Sequence, residues 1–209
     1  MNVLDAESIS LGILASHGGS NLQAIMDACD NGSLKANVAV VVSNNSGSLA
    51  IRRARKSGIP AYHLSSNTHP DDGDLDVAIK NILKKHNVDL IILAGYMKRI
   101  GPSVLRAFRN RVINSHPALL PKYGGKGMYG DRVHKAVVKA KSAETGISIH
   151  LVDEEYDHGR IINQKVIAVD SAEGVEYVKN KVQKYEHIFW VTTLNKIQNG
   201  EINLDNAGH

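Results

Sequence analysis

Apolar positions along this chain alternate between two patterns. Short continuous runs rich in β-branched residues, at residues 9–15 (ISLGILA), 38–42 (VAVVV) and 90–94 (LIILA), predict strands covered on both faces. Between them, apolar residues recur at three- and four-residue spacing, which predicts helices. The first is residues 21–31, with Leu22, Ile25, Met26 and Cys29 on one face and Gly32 as its stop. Further helices are predicted over 48–57, ended by Gly58, over 72–86 and over 102–108. Short strands at 61–64 and 112–114 complete a strand–helix succession. That succession predicts an open, mostly parallel, Rossmann-like α/β sheet with helices on both faces.

The pattern changes after residue 120. Residues 121–131 (PKYGGKGMYGD) hold four glycines and a proline and read as a loop. A helix follows over 132–141. Strands at 146–152 and 161–169 pair across 153–160. A long helix covers 175–198, with Val178, Val182, Ile188, Val191 and Leu194 as its apolar stripe. The chain reads as one domain over 1–209. A nucleotide-fold half covers about 9–120, and a smaller α+β half ending in the long helix covers about 121–209. Residues 1–8 and 203–209 read as frayed ends.

With 209 residues, 43% hydrophobic and 22% charged, the chain has the composition of a single globular domain and not of a disordered one. No run approaches the ~18 apolar residues of a membrane span. The opening MNVLDAESIS lacks the basic segment of a signal peptide. One cysteine, Cys29, excludes an internal disulfide framework, and a cytoplasmic address follows by default. The net charge of +4 is uneven. Residues 98–141 hold eleven Lys/Arg against one acid, Asp131, which leaves fourteen bases against twenty acids elsewhere. Such a segment can steer anionic substrates.

Three stretches carry candidate chemistry. His17-Gly18-Gly19-Ser20-Asn21 joins the first strand to a helix, where backbone N–H groups and the helix dipole suit a phosphate. The alternative is an ordinary tight turn with Ser20 as N-cap. The spacing is not the dinucleotide fingerprint, and the second strand ends in Ser43-Asn44 without the acid that holds a ribose, so NAD binding is disfavoured. Asn114 and His116, two apart near a strand's carboxyl end, can converge an amide and an imidazole on one point. That suits oxyanion stabilisation and proton transfer; the alternative is a structural histidine. Asp153, Glu154, Glu155 and Asp157 form an acidic loop in which Asp157 can orient an imidazole and raise its pKa. A solvated hairpin turn is the alternative. Ten scattered histidines with no ligand spacing give no metal site.

These residues meet a family. Gly19-Ser20-Asn21-Leu22-Gln23-Ala24, Leu93-Ala94-Gly95-Tyr96-Met97, Asn114-Ser115-His116-Pro117-Ala118-Leu119-Leu120-Pro121, the run from Thr145-Gly146 to Asp157-x-Gly159, and Gln183…Glu186-His187 occur in order over about residues 9–195. The chain resembles the glycinamide ribonucleotide formyltransferases of purine synthesis. The resemblance implies the formyltransferase fold and direct, metal-free transfer of a formyl group from 10-formyltetrahydrofolate to the glycine amine of glycinamide ribonucleotide. It implies Asn114, His116 and Asp157 as the catalytic set, with His116 kept protonated by Asp157 and His150 in support. Gly19, Ser20, Asn21, Met97, Pro117, Gln183 and Glu186 would bind the ribonucleotide. Met97, Lys98, Arg99, Ile100, Asn114, Val152, Asp153 and Asp157 would bind the folate. The partners implied are these two small molecules, with no nucleic acid and no membrane, in a monomer or homodimer.

The chain departs from the family's pattern in three places. Met97-Lys98-Arg99-Ile100 stands where many members have Met-Arg-Ile-Leu, so the folate tail meets Lys98 or Arg99. Asp71-Asp72-Gly73-Asp74 replaces a basic residue near the third helix. The 122–131 loop is longer than in some members. Rival readings are a sugar-nucleotide formyltransferase on the same core and, from another class, a non-catalytic anion- or nucleic-acid-binding module. A methionyl-tRNA formyltransferase would need a further C-terminal domain, and a formyltetrahydrofolate hydrolase an N-terminal one.

Overall fold

The computed structural model describes residues 8–205. The readings made of residues 1–7, no signal peptide and a frayed start, lie outside it, as does the frayed reading of residues 206–209.

The predicted elements form with small shifts at their ends. They are β1 (Ile9–Leu14), α1 (Ser20–Asp30), β2 (Ala36–Ser43), α2 (Leu49–Lys56), β3 (Ala61–His63), α3 (Asp72–Lys85) and β4 (Leu90–Leu93). Then come α4 (Pro102–Ala107), β5 (Val112–His116), α5 (Asp131–Lys139), β6 (Glu144–Leu151), β7 (Ile161–Ala168) and α6 (Val175–Gln198). Three helix starts follow capping chemistry. The Ser48 and Asp71 side chains accept the N–H of Ile51 and Asp74, and Pro102 opens α4.

All seven strands join one sheet in the order β3-β2-β1-β4-β5-β6-β7. β1 to β5 pair in parallel, while β6 and β7 run antiparallel. The chain winds outward from β1 to β3, then returns to lay β4 on the other side of β1. The order therefore reverses between β1 and β4, where an open α/β sheet forms its crevice. Successive side chains point to opposite faces. Leu11, Ile13, Leu90 and Ile92 enter the core beneath α1 and α6, and Leu14, Ile91 and Leu93 enter the core beneath α3 and α4.

Two expectations fail. The buried stripe of α6 runs through Val178, Val182, Phe189, Trp190, Leu194 and Ile197, while Ile188 is 64% exposed. A 24-residue helix of mixed surface packs against α1, α5 and β6 at different points, and those contacts choose its face. Asn203–Asp205 are also not frayed. The Asn203 and Leu204 carbonyls accept from Arg160, Leu204 is buried, and Asp205 makes a bidentate pair with Arg111 at 2.7 Å.

Candidate active site

A cleft of about 980 Å³ opens at the carboxyl ends of β1, β4 and β5. The 125–132 segment, the 152–157 loop and one face of α6 close its sides. It is lined by every candidate catalytic, ribonucleotide and folate residue named above: Gly19, Ser20, Asn21, Met97, Lys98, Arg99, Ile100, Asn114, His116, Pro117, Val152, Asp153, Asp157, Gln183 and Glu186.

At one end stands the start of α1. Gly19, not Ser20, is the N-cap, so the Ser20 reading is corrected: Ser20 is the first helical residue. Gly19 sits at φ 66°, and a Cβ there would come within 2.9 Å of the Ala50 Cα. Only glycine fits both demands. No side chain caps α1, so its first N–H groups remain free for an anion in the cleft. The Gln183 amide donates to Ser20 Oγ at 3.3 Å. Ser115 Oγ donates to the Glu186 carboxylate, and the nearby Asn21 side chain also favours its charged form. Burial pushes the Glu186 pKa up, against the pull of those two side chains.

The centre is built across β5 and β6. β5 runs two residues further than predicted, which makes Asn114 and His116 strand neighbours on one side. Antiparallel pairing sets Asn114 opposite His150. His150 Nδ1 donates to the Leu151 carbonyl at 2.8 Å, and His150 Nε2 lies within hydrogen-bond reach of the Asn114 amide nitrogen, 3.1 Å away. This contact fixes the Asn114 amide and leaves its second N–H for the cleft. Asp157 reaches both imidazoles: Oδ2 is 3.4 Å from His116 Nδ1, and Oδ1 is 3.6 Å from His150 Nε2. Asp157 holds a left-handed φ of 57° and accepts the Gly125 N–H at 3.0 Å. A non-glycine residue in this region stores strain, which is common at functional sites. Gly159 makes the turn possible: a Cβ there would fall 1.9 Å from the Leu151 oxygen.

The electrostatics correct one expectation. Burial lowers the His116 pKa, and Asp157 and the Tyr123 carbonyl raise it without offsetting the burial. The buried imidazole is therefore neutral at rest, not kept protonated by Asp157. Nε2 lies 2.7 Å from the Tyr123 carbonyl, so Nε2 carries the proton and Nδ1 presents a lone pair toward Asp157. For Asp157, burial works upward, but the neighbouring His150 and His116 imidazoles and the Gly125 N–H together hold it below the usual carboxylate range.

At the other end, the Met97 N–H donates to Ser16 Oγ at 2.8 Å, leaving the Met97 side chain 44% exposed. Ile100 is buried, while Lys98 and Arg99 are exposed. The Arg99 guanidinium donates to the Glu154 carbonyl, which ties the 97–100 turn to the acidic loop. Asp153 pairs with His158 at 3.0 Å. Asp71, 72 and 74 open α3 and do not line the cleft, whereas the 122–131 loop does.

Several lining residues had not been singled out. Ser115 is one. Lys179, paired with Asp131 at 3.0 Å, and the buried His134 are others. Lys179 shares a helical face with Gln183 and Glu186, a spacing that could have found it. The basic segment also disperses. Of its eleven bases only Lys98, Arg99, Lys126 and Arg132 line the cleft, which carries six acids, so the steering field inferred from the segment's sum is not concentrated there. Among the described residues, no group of three or more His, Cys, Asp and Glu is placed to hold a metal ion. No helix among them is long and apolar enough to cross a membrane.

An amide, an imidazole and a carboxylate converge in the crevice of an open α/β sheet, beside an uncapped helix start, as befits a group-transferring enzyme. A sequence model described as formyl transferase matches residues 11–194, and the chain belongs to that family. It is 32% identical over 200 residues to phosphoribosylglycinamide formyltransferase of Haemophilus influenzae, covering 95% of this chain and 92% of that one. It is 38% identical over 188 residues to the chloroplastic phosphoribosylglycinamide formyltransferase of Arabidopsis thaliana, covering 90% of this chain. The chain spans 64% of that plant relative's length and 58% of the one from Vigna unguiculata. Among solved structures, glycinamide ribonucleotide transformylase 1 of Symbiobacterium toebii superposes with a TM-score of 0.86 at 32% identity. That match covers 93% of this chain and 90% of the other.

Proposed function

We propose that this protein, acting as a single domain, transfers the formyl group of 10-formyltetrahydrofolate to the glycine amine of 5'-phosphoribosylglycinamide. The observation that carries the reading is the convergence of Asn114, His116 and Asp157 in the same cleft as the uncapped start of α1. Two full-length bacterial relatives named phosphoribosylglycinamide formyltransferase support it.

In this reading the N–H groups of Gly19, Ser20 and Asn21 hold the phosphate. Gln183 and Glu186 hold the ribonucleotide from α6, with Met97 and Pro117 beside the glycinamide. Met97, Lys98, Arg99, Ile100, Val152 and Asp153 line the folate end. The amine attacks the formyl carbon, and the carbonyl electrons move to oxygen. The free N–H of Asn114 stabilises that oxyanion. The neutral His116 that burial favours accepts the amine's proton at Nδ1, and Asp157 stabilises the imidazolium so formed. The folate nitrogen leaves with a proton returned through His116, and the carbonyl re-forms. Atoms and charge balance without a metal.

The test is purified protein with 10-formyltetrahydrofolate and a panel of amines, following loss of the formyl folate. Turnover with glycinamide ribonucleotide is expected. Turnover confined to an amino sugar nucleotide would replace this reading with the sugar-nucleotide one.

A further inference from the structure

Ser115 stands between the two catalytic candidates of β5 but on the opposite side of the strand. Its neighbour on that side, Ile113, is fully buried in the core beneath α1 and α6. The register therefore calls for an apolar side chain at 115. The chain places a hydroxyl there instead, and this hydroxyl crosses to α6 to donate to Glu186 Oε1. Asn21, at the start of α1, lies near the same carboxylate and favours its charged form. Asn21 Oδ1 is itself buried with no partner, which leaves an acceptor unused at the cleft wall.

We propose that Ser115 is a positioning residue for the ribonucleotide, fixing the orientation of the Glu186 carboxylate from β5. The proposal rests on the assignment of Glu186 to the ribonucleotide. An ionised carboxylate accepts from two substrate hydroxyls or N–H groups, whereas a protonated one gives up an acceptor and can rotate. Burial favours protonation of Glu186, and Ser115 and Asn21 oppose it. A hydrogen bond to a charged group is among the stronger contributions a single hydroxyl can make. Other titratable groups that line this part of the cleft are His116 on β5, Asp131 and His134 on α5, Lys179 on α6 and His17 after β1. His187 follows Glu186 directly on α6. Against burial, the hydrogen bond from Ser115 and the nearby Asn21 favour the charged form of Glu186.

The test compares wild type, Ser115→Ala and Ser115→Thr, each also combined with Glu186→Gln. In Ser115→Ala the KM for glycinamide ribonucleotide should rise about tenfold at pH 7, the scale of one charge-assisted hydrogen bond. kcat and the folate KM should stay within about twofold. Ser115→Thr, which keeps the hydroxyl on a strand that tolerates β-branching, should restore KM. In the Glu186→Gln background, Ser115→Ala should add little, because the charge it serves is gone. Carbon-13 titration of labelled Glu186 should move up by about one pH unit in Ser115→Ala. An unchanged Glu186 titration, or an equal KM rise with and without the carboxylate, would overturn the proposal. A wild type that does not saturate with glycinamide ribonucleotide would instead overturn the functional reading, while the titration still judges Ser115.

Discussion

Asp157→Asn tests the centre of the mechanism with the smallest change of shape. The amide keeps an oxygen for the Gly125 N–H and loses the negative charge beside His116. Unit charges 3.4 Å apart attract by about 5 kcal/mol at an effective dielectric of ~20. Asp157 is 12% exposed, and solvent reduces this somewhat, so about 3–5 kcal/mol is at stake. His116 is neutral at rest, so the attraction exists only after it accepts the amine's proton. The loss therefore falls on kcat, by roughly a hundredfold to a few thousandfold, with KM values nearly unchanged. Steady-state assays of formyl-folate consumption across pH 6–9 measure it, alongside thermal unfolding to show that the variant is folded. A folded Asp157→Asn protein with kcat within tenfold of wild type would refute the assignment of imidazolium stabilisation to Asp157.

Two further outcomes follow from the same geometry. Burial holds His116, His134 and His187 below the usual imidazole range, so the unfolded chain binds more protons than the folded one below about pH 6.5. Stability is full above that range and falls as pH drops through it. Glu186, raised by burial, and His158, raised by its pairing with Asp153, oppose the trend as two groups against three. Tm should be lower at pH 5.5 than at 7.5, and a His134→Gln, His187→Gln double variant should flatten the drop; an unaltered drop would show the histidines are not its source. Gly19→Ala meets both a left-handed φ and the Ala50 backbone. It should cost about 1–3 kcal/mol in denaturant unfolding and raise the KM for the ribonucleotide but not for the folate. Equal effects on both substrates would argue that the α1 start does not serve the phosphate end.

Much of this protein is legible in its residues because its signals are local. Strand and helix ends follow from β-branched runs, from Ser48, Asp71 and Pro102 at helix starts, and from Gly32 and Gly58 after helix ends. Motif residues scattered from Gly19 to Glu186 could be named together through a family resemblance. Their meeting could not be derived from any one stretch. Asn114 and Asp157 are 43 positions apart in sequence, and only the β5–β6 pairing sets His150 beside Asn114 and brings the 153–157 loop back over His116.

Periodicity along α6 suggests Ile188 as a core residue, yet contacts with α1, α5 and β6 decide which face is inside and leave it exposed. Summed charge over residues 98–141 suggests a basic cleft, yet most of those bases point elsewhere, because charge counted along a chain carries no direction in space. The sequence by itself determined the elements, their order and the chemical groups available. The tertiary structure alone decided the state of His116. Protonation reflects the balance between burial and a carboxylate 3.4 Å away, and both terms exist only once distant segments have packed together.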